Sequence, residues 1–170
     1  MIVIRGDLMF DSYDYLDNQT YFNDRTSTTE NDEIITLNQA IELIKKSVES
    51  EKEDEQFYNL LLQQTSSLEA KEIIKSIRDD EKKHNQILRK LYYDFTGQVV
   101  PTNTFLNKTE NYSTFNKNLK TAMFGELDAV KKYRKILSTM PSGDSYTLLM
   151  AIILDELRHA NLYNFLIHEH

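Results

Sequence analysis

The chain's two prolines and two of its four glycines fall at breaks between four segments of more than 20 residues each, in which apolar residues recur at helical spacing. Thr36-Leu37-Asn38-Gln39 reads as an N-cap with Gln at the third helical position. From there Ile41, Ile44, Val48, Tyr58 and Leu62 mark one helix to about Gln64. Ser66-Ser67-Leu68-Glu69 is a second capping signal. It opens a helix carrying Ile73, Ile74, Ile77, Leu88, Leu91 and Phe95 that stops at Gly97. A third helix carries Leu119, Met123, Val130, Tyr133 and Leu137 and ends before Pro141. After the turn Ser142-Gly143-Asp144, a fourth runs from about Ser145 to Ile167 through Leu149, Ile152, Leu162 and Leu166.

Four such helices pack most economically as a bundle. The first and third connections are short and each joins an antiparallel pair. The middle one, residues 98–112, holds Pro101 and many Asn and Thr. At about 3.3 Å per extended residue it can run the length of the bundle as a long crossover. The expected fold is therefore all-α, with residues 36–170 as one domain. Residues 1–35 stand apart: Ile2, Val3 and Ile4 suit a short strand, and Asp11 to Asp32 reads as an arm or loop rich in Asp, Asn, Thr and Tyr.

Composition narrows the chemistry. The formal net charge of −7 argues against a nucleic-acid partner. No apolar run is long enough to span a membrane, and the first residues do not read as a signal peptide, so a cytoplasmic location is expected. With no cysteine, disulfides, Fe–S clusters and thiol catalysis are excluded from these 170 residues. Carboxylate, imidazole and phenol chemistry remains.

Those groups interrupt the apolar stripes where leucine would be expected. The second helix has Asp80-Glu81-Lys82-Lys83-His84, and the fourth has Asp155-Glu156-Leu157-Arg158-His159. In each, Glu and His are three apart and share a helix face. In the first and third helices Glu51 precedes Tyr58, and Glu126 precedes Tyr133, by seven residues, or two turns. Glu51, Tyr58, Asp80, Glu81 and His84 each recur 75 residues later. Glu51 and Glu81 are both 15 residues from position 66, and Glu126 and Glu156 both 15 from Pro141. Equal distance from a hairpin turn means equal height, about 22 Å at about 1.5 Å per residue. The four Glu and two His therefore meet at one level of a bundle with pseudo-twofold symmetry.

Four carboxylates and two imidazoles buried together need compensating charge. Two divalent cations would neutralise the four carboxylates. Mixed O and N donors suit iron or manganese, with zinc possible and copper less natural. Asp80 and Asp155 suit a supporting role, each accepting a proton from the outer nitrogen of a ligand histidine. Arg158 can pair with an aspartate there, and Lys83 takes the equivalent place in the other half. Glu55 reads as exposed or hydrogen-bonded, and His168 and His170 as loose surface residues at the chain end.

These residues resemble the ferritin-like superfamily of di-iron carboxylate proteins, nearest to its rubrerythrin-type members, over about 37–167. The likeness lies in Val48-Glu49-Ser50-Glu51 through Phe57-Tyr58, in Gly125-Glu126-Leu127-Asp128-Ala129 through Tyr133, and in the two Asp-Glu-x-x-x-His runs... of which Asp155 to His159 has the Asp-Glu-x-Arg-His form. The resemblance implies a ferritin-like four-helix bundle. It also implies Glu51 and Glu126 as terminal metal ligands, Glu81 and Glu156 as bridging ligands, and one histidine, His84 or His159, on each metal. Tyr58 and Tyr133 would hydrogen-bond to ligand carboxylates. Two iron ions are the expected cofactors, with manganese, a mixed pair or zinc as alternatives. Rubrerythrins proper carry a cysteine-ligated rubredoxin domain, which is lacking here, so a separate electron donor is expected.

The resulting expectation is a homodimeric oxidoreductase, a ferroxidase or peroxidase acting on Fe(II) and O2 or H2O2. Alternatives are iron storage, a metal-stabilised structural bundle, a manganese catalase or an organic-substrate oxygenase.

Overall fold

The computed structural model describes residues 35–49, 51–101 and 113–169, the side chains of 51–55 excepted. The expectations for residues 1–34, for most of the crossover and for His170 lie outside the described residues. Among those described, five helices and no strand are found: α1 (Leu37–Glu49), α2 (Glu51–Gln64), α3 (Leu68–Thr96), α4 (Phe115–Leu137) and α5 (Asp144–Glu169).

The helix ends follow local chemistry. Thr36 and Gln39 form a reciprocal box: the Thr36 amide donates to Gln39 Oε1 at 2.7 Å, and the Gln39 amide to Thr36 Oγ1 at 3.3 Å. Ser67 caps α3 by accepting from the Ala70 amide at 3.2 Å. Gly97 ends it in the left-handed region at φ 67°, its amide donating to the Tyr93 carbonyl.

One boundary differs from the expectation. The single first helix is two, α1 and α2, on either side of residue 50. A continuous helix would give the Val48 carbonyl to the amide four residues on. Here Asn85, buried on α3, donates its side-chain amide to that carbonyl at 3.3 Å. Arg89 holds Asn85 in turn, Nε to Oδ1 at 2.7 Å.

The helices occupy four corners. The α1–α2 pair lies against α3 and α4, and α5 lies against α3 and α4, while α3 and α4 stand diagonally opposite. Gln64, at the end of α2, accepts from Asn118 Nδ2 at 2.9 Å and donates to the Ser113 carbonyl at 2.9 Å. The start of α4 is thereby tied to the α2–α3 turn. Val100, just past the far end of α3, packs instead with Ala40 and Leu149 at the other end of the bundle. The chain between Val100 and Ser113 thus crosses the bundle's length, which makes α3 and α4 parallel.

The apolar interior is in two pieces. One holds Ala40, Ile44, Val48, Leu88, Leu91, Tyr133, Ile136, Leu149 and Ile152. The other holds Tyr58, Leu61, Ala70, Ile74, Ile77, Leu119, Tyr163 and Leu166. Glu81, His84, Glu126, Glu156 and His159 fall between them along their helices, so a polar belt divides the core. No described helix is long and apolar enough to cross a membrane.

Candidate metal centre

The belt converges to a point. Glu81 on α3, Glu126 on α4, and Glu156 and His159 on α5 each present a ligand atom such that all four atoms lie within 4.8 Å of one another. Glu126, Glu156 and His159 are buried, and Glu81 is half-buried.

Both histidines turn Nδ1 inward. His159 Nδ1 lies 2.9 Å from Glu81 Oε1, 3.7 Å from Glu156 Oε2 and 3.9 Å from Glu126 Oε2. His84 Nδ1 lies 3.4 Å from Glu156 Oε1 and 3.5 Å from Glu81 Oε1. Glu81 and Glu156 therefore each stand between the two imidazoles, whose ring centres are 5.7 Å apart. Glu126 sits on the His159 side. The pseudo-twofold counterpart of Glu126 is Glu51, at the start of α2; its side chain is outside the described residues, as is that of Glu55.

The outer nitrogens pair crosswise. His84 Nε2, on α3, is 3.2 Å from Asp155 Oδ2 on α5. His159 Nε2, on α5, is 3.6 Å from Asp80 Oδ2 on α3. Arg158 joins the two halves: its guanidinium donates to Asp155 Oδ1 at 3.1 and 3.3 Å and also reaches Asp80 Oδ2. Lys83, its counterpart, is exposed and meets Asp80 alone, at 2.9 Å. Tyr58 and Tyr133 are buried on opposite sides of the belt, one in each apolar piece. His168 is exposed and bonded to the Asn164 carbonyl of its own helix, as an uninvolved surface residue would be.

The charges are unevenly shared. Burial opposes a charge on either histidine, but the adjoining carboxylates outweigh it. Glu156 and Glu81 push His84 up to about 10. Glu126, Glu156 and Glu81 push His159 up to about 11. Burial also raises Glu156, yet its bonds to His159 and His84 hold it well below the usual carboxylate range. Glu126 goes the other way, driven well above that range by burial and then by Glu156 and Glu81, against the pull of His159. For Asp80, Lys83 and Arg158 overcome burial and bring it down to about 2.

Four buried atoms facing this space, Glu81 Oε1, His84 Nδ1, Glu156 Oε2 and His159 Nδ1, have no hydrogen-bond partner among the described residues. Each such atom costs roughly 1–3 kcal/mol when left unsatisfied. Lone pairs converging from carboxylate oxygens and imidazole nitrogens are what a divalent cation satisfies, so the donor set fits a metal.

The family model for rubrerythrin matches residues 42–167, which take in α2 to α4 whole and most of α1 and α5. The chain belongs to the rubrerythrin family. No curated protein matches the sequence. Rubrerythrins are ferritin-like helical bundles of the di-iron carboxylate kind, and both the architecture and the Glu/His cluster found in this rubrerythrin agree with that membership.

Two buried residues of this rubrerythrin were not singled out from sequence. Asn85 left no signal beyond being a polar residue next to His84. Tyr163 did leave one: it follows Glu156 by seven residues, the spacing that pairs Tyr58 with Glu51 and Tyr133 with Glu126.

Proposed function

We propose that this rubrerythrin-family chain is a di-iron carboxylate oxidoreductase, a ferroxidase or peroxidase that oxidises Fe(II) with O2 or H2O2. One observation carries the reading: buried carboxylate and imidazole atoms converge from three helices, with orphaned lone pairs aimed at a common centre. Glu81 and Glu156 would bridge two ions, and Glu126 with His159 would complete one end. Glu51 with His84 would complete the other.

Iron, when bound, supplies the electrons for reducing the oxidant. The protein's part is to hold and balance. Asp155 and Asp80 accept from the outer histidine nitrogens and so keep each Nδ1 free to ligate. Arg158 fixes both aspartates against each other. Tyr58 and Tyr133 close the belt from either side and shield it from water, with hydroxyls suited to the ligand carboxylates. Because the 170 residues hold no cysteine, re-reduction falls to a separate electron donor.

Stopped-flow absorbance of the Fe(II)-loaded protein mixed with O2 or with H2O2 tests the reading. The expected result is ferric-oxo absorbance that forms faster in the parent than in Glu81→Ala or Glu156→Ala. Equal rates in all three with both oxidants overturn it. Loading that raises the melting temperature without any turnover would instead assign the site a structural role.

A further inference from the structure

Tyr163 is the largest fully buried side chain of the bundle, with no exposure to solvent. It follows His159 by four residues and Glu156 by seven on the inner face of α5, one and two turns away. Along the axis these steps are about 6 and about 10 Å. Side chains on a helix lean toward its N-terminus, so the ring leans back toward the metal belt. Leu61, Ile74, Ile77, Leu119 and Tyr58 surround it. Yet its hydroxyl has no hydrogen-bond partner among the described residues.

A phenol so enclosed is a poor choice for packing alone. A buried hydroxyl without a partner costs roughly 1–3 kcal/mol, and phenylalanine would fill the same space without that cost. The pseudo-twofold counterpart of Tyr163, 75 residues earlier, is Leu88. Symmetry is thus kept in the Glu, His and Asp positions and broken here. One side of the belt has two phenols, Tyr58 and Tyr163, and the other has Tyr133 alone.

Resting on the di-iron reading, we infer that Tyr163 is a one-electron donor to the oxidant bound at the metal pair. Reduction of hydrogen peroxide to two waters takes two electrons and two protons. When the pair brings only one electron, Tyr163 supplies the other. Its O–H bond breaks, the electron and the proton go to the peroxide, and a neutral phenoxyl is left. The peroxide O–O bond breaks, and the second proton comes from solvent. Burial keeps the phenol protonated until that moment: desolvation, followed by the Glu126 charge, holds its pKa well above the ordinary phenol value, with the Tyr58 hydroxyl opposing. The apolar shell also keeps external reductants from the phenoxyl.

The test is freeze-quench electron paramagnetic resonance on the full chain, loaded with Fe(II), partly oxidised and then mixed with H2O2. A transient organic radical is expected, narrowed by ring-deuterated tyrosine, abolished by Tyr163→Phe and kept in Tyr133→Phe. Difluorotyrosine placed at position 163 alone retains shape and hydroxyl, and it should add fluorine splitting to the signal. That readout stands even if Tyr163→Phe folds poorly. A radical without the added splitting, or no radical in a chain that binds two irons, overturns the inference and leaves the di-iron reading intact. A chain that binds no iron in a parallel calorimetric titration overturns both.

Discussion

The crosswise pairing of histidines and aspartates makes a prediction that sequence order would get backwards. Asp155 lies on the same helix as His159 but accepts from His84 Nε2 on α3, at 3.2 Å. Asp155→Asn keeps the shape and removes the charge. A hydrogen bond to a charged group contributes roughly 1.5–3 kcal/mol, and about 1.4 kcal/mol is a factor of ten in a binding constant. The Asp155 side chain is 39% exposed, against 4% for His84, so solvent screens its charge. The lower end, about a tenfold loss of metal affinity, is therefore expected, at the low end of the usual cost of losing an outer partner. Isothermal titration with Fe(II) under anaerobic conditions would measure it in two backgrounds. With His159→Ala, where the remaining histidine is His84, Asp155→Asn should weaken binding about tenfold. With His84→Ala it should change binding by no more than about a factor of two, the ordinary error of additivity for uncoupled sites. The opposite pattern, or equal losses in both backgrounds, would refute the crosswise pairing as a support of the site.

Other outcomes follow from the same geometry. His84 and His159 sit at about 10 and about 11 in the folded metal-free protein against an ordinary 6.5. Their stabilising effect is complete below pH 6.5 and is lost as pH rises through those values, so the melting temperature with chelator present should fall across that window. A flat profile would contradict protonated histidines in the metal-free belt. For the same reason iron loading at neutral pH should release protons, seen as a buffer-dependent binding enthalpy. Gly97→Ala should destabilise by about 1 kcal/mol, because Gly97 holds φ 67° with open space around it. Gly125→Ala, in the exposed interior of α4 with nothing within 4 Å of the added carbon, should stabilise by about 0.5–1 kcal/mol. Urea denaturation of the two variants checks both signs.

Much of the bundle was legible because its signals are local. The Thr36–Gln39 box, the Ser67 cap and the Gly97 stop each depend on residues within one turn, and each is found where the sequence puts it. The common height of Glu81, Glu126 and Glu156 was also legible, since helical rise and distance from a turn are enough to fix it. The division between α1 and α2 was not. It goes with a hydrogen bond from Asn85, 37 residues away, that takes up a carbonyl a continuous helix would use itself. Tyr163 was passed over for a different reason. The search asked for residues that recur 75 apart, and its counterpart is leucine. The Glu-to-Tyr spacing of seven, applied to Glu156, points straight to it.

The sequence by itself determined that four long amphipathic segments form a bundle, and that its acids and histidines come to one level. Both follow from periodicity, which is a property of the chain read along its own axis. Only the tertiary structure decided which nitrogen of each histidine faces inward, which aspartate stands behind which histidine, and which phenol is sealed beside the belt. Those depend on how neighbouring helices are rotated against one another. That rotation is set by the packing of both apolar pieces together, and no single helix carries the information.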